Sequence, residues 1–149
     1  KAYVSGAYAK HKNETAGQSD VNNWGLAASL FVPFHKYFQP SGEFHYGYSL
    51  GMMLTEASDT RRQRFISAWA QIKSEWTKWL ETNAGYGIDT LGNVQLNWIG
   101  RNQLVFANVK FKPVDVFVIG LEYNYLRTYY KGSGSSEANA GFMNVMYVF

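Results

Sequence analysis

The side chains that could do chemistry in this sequence are three histidines and a scattered set of lysines and carboxylates. His11, His35 and His45 have no serine or aspartate partner at a spacing typical of a hydrolase. Nucleophilic catalysis needs a nucleophile, a base and an orienting group that converge in space. The absence of cysteine excludes disulfides and thiolate metal sites. We therefore expect neither an enzyme nor a bound cofactor.

Acidic and basic residues give no sign of a metal site or a nucleic-acid surface. The acids of the predicted loops stand singly rather than at ligand spacing: Asp20, Glu56, Asp59 and Asp89. The net charge is +3, and the basic residues are dispersed apart from a short run at Arg61 to Arg64. We interpret that run as the solvated edge of a loop, and we expect no metal and no nucleic-acid partner.

The apolar residues are spread in a pattern typical of strands. The sequence is 46% hydrophobic and 17% aromatic, yet its mean hydropathy is −0.28. No apolar run approaches the roughly 20 residues of a transmembrane helix. From Val116 to Tyr129, large apolar side chains alternate with Gly120, Glu122 and Asn124. This period of two predicts a strand with one apolar and one polar face.

Seven further segments show the same period, although the first is rich in Ala, Gly and Ser. They are Ala2 to Lys10, Trp24 to Phe34, Phe44 to Leu54, Ile66 to Lys73, Leu80 to Ile88, Leu104 to Lys112 and Asn139 to Phe149. Between them, long polar connections are predicted at Lys12 to Asn23, Thr55 to Arg64, Asp89 to Arg101 and Lys131 to Ala138. Residues 1–149 are expected to form one all-β domain, an antiparallel up-and-down sheet of eight strands.

Strands of this length, joined alternately by short turns and polar loops, are typical of a transmembrane β-barrel. Large aromatic residues are expected beside the short turns on the apolar faces, as an interfacial girdle: Phe34, Phe44, Phe111, Phe117, Tyr147 and Phe149. A soluble barrel would turn its apolar face inward and would need a large apolar core. Here the apolar faces carry large aromatic residues, while the opposite faces are mostly Gly, Ala, Ser and Asn with scattered charges, and this combination would make a poor core. The sequence favours the membrane alternative.

In such a barrel the polar faces line the lumen, and the charges there are the candidates for function. The predicted lumen residues are Lys73, Lys110, Lys112, Glu81, Glu122, Asn83 and Asn124. In a closed eight-stranded barrel these side chains would pair and fill the interior, whereas in a wider barrel they would set ion preference. The outward set is expected to face lipid: Leu26, Leu30, Ile72, Val109, Ile119, Leu121 and Val145.

The end of the chain resembles the outer-membrane β-signal, an alternating segment with a terminal aromatic, here Tyr147 and Phe149. The stretch Asn102 to Phe149 resembles the C-terminal half of DcaP-like and related Gram-negative porins, through the turn Lys112 to Val116 and the strand residues Gly120 to Tyr123. The resemblance is looser in the first half of the chain.

This resemblance implies a homotrimeric porin with about twice as many strands as the eight counted here, so that the chain would be its C-terminal portion. It also implies an outer-membrane location, small anionic or carboxylate solutes, and contacts with lipid, lipopolysaccharide and the barrel-assembly machinery. The alternative is a complete eight-stranded barrel that does not conduct and has a structural or adhesive role. Pairing of the first strand with the last would distinguish a closed barrel.

Overall fold

A computed structural model describes residues 1–11, 21–48, 64–92, 94–114 and 116–147. These residues form eight β-strands: β1 Ala2–His11, β2 Val21–Phe31, β3 Gln39–Tyr48, β4 Arg64–Thr77, β5 Leu80–Leu91, β6 Ile99–Val114, β7 Phe117–Tyr130 and β8 Gly134–Tyr147. No helix long and apolar enough to cross a membrane occurs in this part of the chain. The predicted all-β architecture is confirmed.

The strands form a single antiparallel sheet in the order of the sequence, from β1 to β8. Each strand pairs with its neighbours in the chain, so the predicted up-and-down meander is confirmed. Within the described ranges, β1 pairs with β2 alone and β8 with β7 alone, and the two outer strands do not contact each other. The described strands therefore leave both edges of the sheet without a ladder partner.

The connections lie alternately at two ends of the sheet. Of the described connecting residues, 32–38, 78–79 and 116 lie at one end, the turn end, and residues 92, 94–98 and 131–133 lie at the other, the loop end. Segments 12–20 and 49–63, and the predicted strand extension from Ser49 to Leu54, lie outside the described residues. Connections that alternate between the two ends of an antiparallel meander are the arrangement of outer-membrane barrels.

All four predicted long connections are wrong in extent, since β2 begins at Val21 and β4 at Arg64, inside the first two of them. The segment Lys131 to Ala138 is a turn of three residues followed by strand, with Gly132 and Gly134 at φ of 82° and 95°. In the segment Asp89 to Arg101, the residues up to Leu91 belong to β5 and those from Ile99 belong to β6. At these positions the backbone ladder continues beyond the residues that alternate, so hydrophobic periodicity predicts too little strand there.

The register separates an apolar face from a polar face. The apolar face carries the seven residues predicted to face lipid: Leu26, Leu30, Ile72, Val109, Ile119, Leu121 and Val145. Six of them are at least 42% exposed. In the described part of the chain the buried apolar residues are only Phe65, Val94 and Val118. A soluble sandwich or barrel needs a large apolar core, and this sheet instead exposes its apolar side chains.

Aromatic side chains gather at the turn end, with one correction to the predicted girdle. Trp79 packs edge-on against Phe111, and Tyr37 stacks on Trp76, each with ring centroids 5.5 Å apart. Phe44 does not belong to this group, because β3 begins at Gln39 and Phe44 pairs with Ala28 and Ala68 in mid-sheet. Phe34, Phe117 and Tyr147 are at the turn end as predicted, whereas Phe149 lies outside the described residues.

Candidate functional site

Hydrogen-bonding side chains follow one another across the polar face from strand to strand. The Gln71 amide donates to Ser41 Oγ at 3.0 Å, and the Asn83 amide donates to Gln71 Oε1 at 2.8 Å. These contacts join β3, β4 and β5, because directly paired residues of an antiparallel sheet project to the same face. Close to this row, the Trp69 indole donates to Glu43 Oε2 at 3.2 Å.

At the turn end, the polar face holds a cluster of five charged side chains, which we call the lysine cluster: Lys73, Glu75, Glu81, Lys110 and Lys112. Glu81 is its centre, since all three lysine ammonium groups lie 3.3 to 3.4 Å from its carboxylate oxygens. Lys73 also contacts Glu75 Oε1 at 2.9 Å. β4, β5 and β6 bring these residues together, because Glu81 lies opposite both Glu75 and Lys110 in the register.

The lysines and the central acid differ in their exposure. The Glu81 side chain is 10% exposed, whereas the side chains of Lys73, Lys110 and Lys112 are 34%, 46% and 40% exposed. A solute approaching this face therefore meets ammonium groups before it meets the Glu81 carboxylate. With three lysines and two glutamates, the cluster has a net charge of +1. The site can hold an anion by charge and by N–H donation.

The structure brings four of the seven predicted lumen residues into one cluster and places the other three apart from it. Asn83 is in the hydrogen-bonded row with Gln71, and the Asn124 amide donates to Glu122 Oε1 at 2.9 Å. In the register, Asn83, Glu122 and Asn124 share the polar face with the lysine cluster. In the register, Glu122 is opposite Asn108, which is in turn opposite Asn83.

Sequence reasoning missed several members of the polar face. The predicted strand ends at Lys73, but β4 continues to Thr77, and Glu75 belongs to the lysine cluster. Its position two residues after Lys73 was the available signal, because strand residues at that spacing share a face. Glu43 and Trp69 were not predicted as a pair, since they are distant in sequence and only the register places them opposite each other.

Several amide oxygens on the polar face have no hydrogen-bond partner within the described protein. They are Asn83 Oδ1, Asn102 Oδ1, Asn108 Oδ1 and Asn124 Oδ1. Polar atoms that no protein group satisfies are normally hydrated, which is what a face lining an aqueous space requires. Near them, the Phe106 ring lies over Gly85, where an added Cβ would come within 2.5 Å of the ring. The small residue leaves room for an aromatic side chain on an otherwise polar wall.

The remaining sequence-predicted residues do not extend this site. Tyr147 lies on the apolar face at the turn end and is 61% exposed, paired in register with Phe117. His45 contacts Glu43 Oε1 at 3.5 Å, and His35 is in the turn after β2. Among the described residues no group of three or more His, Asp or Glu side chains could hold a metal ion.

Comparison with known proteins gives one structural match. No protein-family model matches the chain, and no curated protein matches it in sequence. The fold is similar to the crystal structure of the outer membrane channel DcaP of Acinetobacter baumannii, with a TM-score of 0.85 at 15% sequence identity. The match covers 99% of this chain and 46% of that one, so the chain spans less than half the length of the channel. The eight strands therefore have the fold of part of an outer-membrane β-barrel channel.

Proposed function

We propose that this chain supplies part of the wall of an outer-membrane channel through which small polar solutes diffuse passively. The observation that carries the proposal is the division of the sheet into an exposed apolar face and a polar face that bears the lysine cluster. The apolar face suits lipid, and the polar face suits water. The similarity in fold to an outer-membrane channel supports the same conclusion.

The width of the barrel decides between conduction and a purely structural role. An eight-stranded barrel has an interior that side chains fill, whereas 16 to 18 strands leave an aqueous channel. Edges without a ladder partner do not occur in lipid, so β1 and β8 need further strands beside them. In the described residues they do not supply one another's missing ladder. These points favour a wider, conducting barrel over the non-conducting eight-stranded alternative.

We further propose that the channel prefers anions, and that this preference arises locally in the lysine cluster. The other acidic side chains of the polar face lie nearer mid-sheet or the loop end: Glu43, Asp89 and Glu122. Counted over all described strands, acids outnumber lysines on this face, so its total charge would favour cations. The two arguments predict opposite selectivities. We favour the cluster because its lysines are exposed and its central acid is covered.

Planar-bilayer recording of the whole protein, purified from its native outer membrane, tests both parts. We expect stepwise conductance, and a reversal potential in a KCl gradient that shows preference for chloride. Absence of steps with correctly folded protein would refute the channel. Conductance steps with a preference for potassium would support the channel and refute the proposal that the lysine cluster sets its ion selectivity.

The assembly of such a protein completes the proposal. We propose a homotrimer in the outer membrane of a Gram-negative bacterium, embedded in lipid and lipopolysaccharide and with no enzymatic activity. Tyr147 ends a strand that alternates in the manner of a β-signal, which supports insertion by the barrel-assembly machinery. We expect deletion of Phe149 to lower the amount of protein at the cell surface.

A further inference from the structure

Charged residues on the apolar face are confined to one end of the sheet. Among strand residues whose side chains the structure describes, the register places four charges on this face: Arg64, Arg101, Arg127 and Glu137. All four lie toward the loop end. Three are arginines and one is a glutamate, a net charge of +2. The other described side chains of the apolar face are uncharged, so the arginines form a basic rim at one margin of the described sheet.

Two of these arginines share one aromatic ring. The Arg101 Cζ atom is 4.0 Å from the centre of the Tyr129 ring, and the Arg127 Cζ atom is 4.8 Å from it. Contact with an aromatic face fixes a guanidinium group. The Nε atoms of both arginines are buried, so the terminal nitrogens are the donors that remain for a ligand, and Arg127 Nη2 also donates to Ser135 Oγ at 3.4 Å. Arg127 also contacts Glu137 Oε1 at 3.2 Å. Arg101 has no acidic partner in the part of the chain that the structure describes, so the pair retains an uncompensated positive charge.

The spacing along β6 and β7 places these arginines at a membrane surface. On β6, Arg101 is ten residues before Phe111 of the aromatic girdle, and on β7, Arg127 is ten residues after Phe117. Ten strand residues span about 33 Å, or about 25 Å along the membrane normal at the usual tilt of barrel strands. That height equals the apolar band of an outer-membrane barrel. The arginines are therefore level with lipid headgroups opposite the girdle.

We propose that Arg101 and Arg127, held by Tyr129, bind the phosphate groups of a phosphorylated outer-leaflet glycolipid on the outside of the barrel. Short turns face the periplasm in outer-membrane barrels, so the loop end meets the outer leaflet. A guanidinium group matches phosphate through paired N–H donors, and Arg is the residue best suited to such contacts. This site rests on the outer-membrane barrel given under the proposed function, and it is separate from the lysine cluster and from conduction.

Lipid binding by the purified whole protein tests this site. The probe is lipid A that carries its phosphates, with dephosphorylated lipid A and free inorganic phosphate as comparisons, and binding is read by native mass spectrometry or by titration in detergent. We expect phosphorylated lipid A to bind more tightly than either comparison. Each of Arg101→Gln and Arg127→Gln should weaken the binding of phosphorylated lipid A by about fivefold. This is the usual contribution of one basic residue to the affinity for an anionic surface.

Lys78→Gln is the matched control, because it removes the same charge from the turn at the opposite end of the sheet. Folding of every variant is checked by the heat-dependent shift in gel mobility that folded barrels show. Equal affinity in the arginine variants and the Lys78 variant would overturn the proposal, as would equal binding of dephosphorylated lipid A. If millimolar inorganic phosphate displaces lipid A completely, the site binds free phosphate, and the proposal of a glycolipid ligand is overturned. If the wild-type protein binds phosphorylated lipid A but does not conduct, the channel is refuted and the lipid site is supported.

Discussion

Replacing Leu121 by arginine is expected to destabilise the folded protein by about 2 to 4 kcal/mol, the usual effect of Arg near the midplane of a barrel's lipid face. Leu121 is 55% exposed on the apolar face of β7, between Val109 and Met143 in the register. It lies between the girdle residue Phe117 and the basic rim residue Arg127. Folding into lipid vesicles, followed by denaturant titration, measures the change.

Asn124→Arg is the control for this substitution. Asn124 is on the same strand near the same depth, but it projects from the polar face and contacts Glu122. An arginine there can remain in water and pair with that carboxylate, so we expect little loss of stability. Equal destabilisation by both variants would contradict the assignment of the two faces. Destabilisation by Asn124→Arg alone would favour a soluble fold with the apolar face packed inside.

The lysine cluster gives the second large effect, a reversal of ion selectivity. Changing Lys73, Lys110 and Lys112 together to glutamine alters the cluster charge from +1 to −2, and we expect the preference to change from anions to cations. Glu81→Gln alters it to +2 and should strengthen the anion preference. A unit charge about 8 Å from an ion in water contributes about 0.5 kcal/mol, or roughly a twofold change in ion occupancy. Reversal potentials in a KCl gradient report the signs.

Lys131→Gln controls for a simple loss of positive charge, since Lys131 is in the turn at the loop end, where its ammonium donates to the Val94 carbonyl. Its reversal potential should match the wild type. The cluster would lose its assigned role if Glu81→Gln and the triple lysine variant shifted the potential in the same direction. Both shifts should shrink at high salt, because the lysines are exposed and screening is then strong.

The strand count and the two faces could be predicted from sequence, and the strand ends could not. In the middle of β7, large apolar residues alternate with Gly120, Glu122 and Asn124, and this pattern alone distinguishes the faces. Beyond the apolar band both faces are polar, so Gly134 to Ala138 appear as a loop although they pair with β7. The prediction for the connection between β2 and β3 is wrong for a related reason. β3 begins at Gln39, before the apolar alternation starts, so the predicted girdle residue Phe44 lies inside the sheet.

The charged site was predictable as a set of residues but not as a cluster. Alternation assigns Lys73, Glu81, Lys110 and Lys112 to polar faces, because each residue's parity along its strand is visible in the sequence. Their contact depends on which residues lie opposite one another, and that register follows from turn geometry that composition does not reveal. The same limit hid the shared contact of Arg101 and Arg127 with Tyr129, which joins β6 to β7.

A pair of neighbouring cysteine substitutions tests the central claim most directly, because the sequence contains no other cysteine. Asn83 is on the polar face beside Gln71, and Ala84 is on the apolar face opposite Ile72 and Ala107. A membrane-impermeant, cationic thiol reagent is added while current through the reconstituted protein is recorded. We predict that it modifies the Asn83→Cys variant and changes the current in discrete steps, while the Ala84→Cys variant is unaffected. Reaction at position 84 with none at position 83, or unmodified current in both variants, would contradict a lipid-exposed apolar face around a water-filled channel.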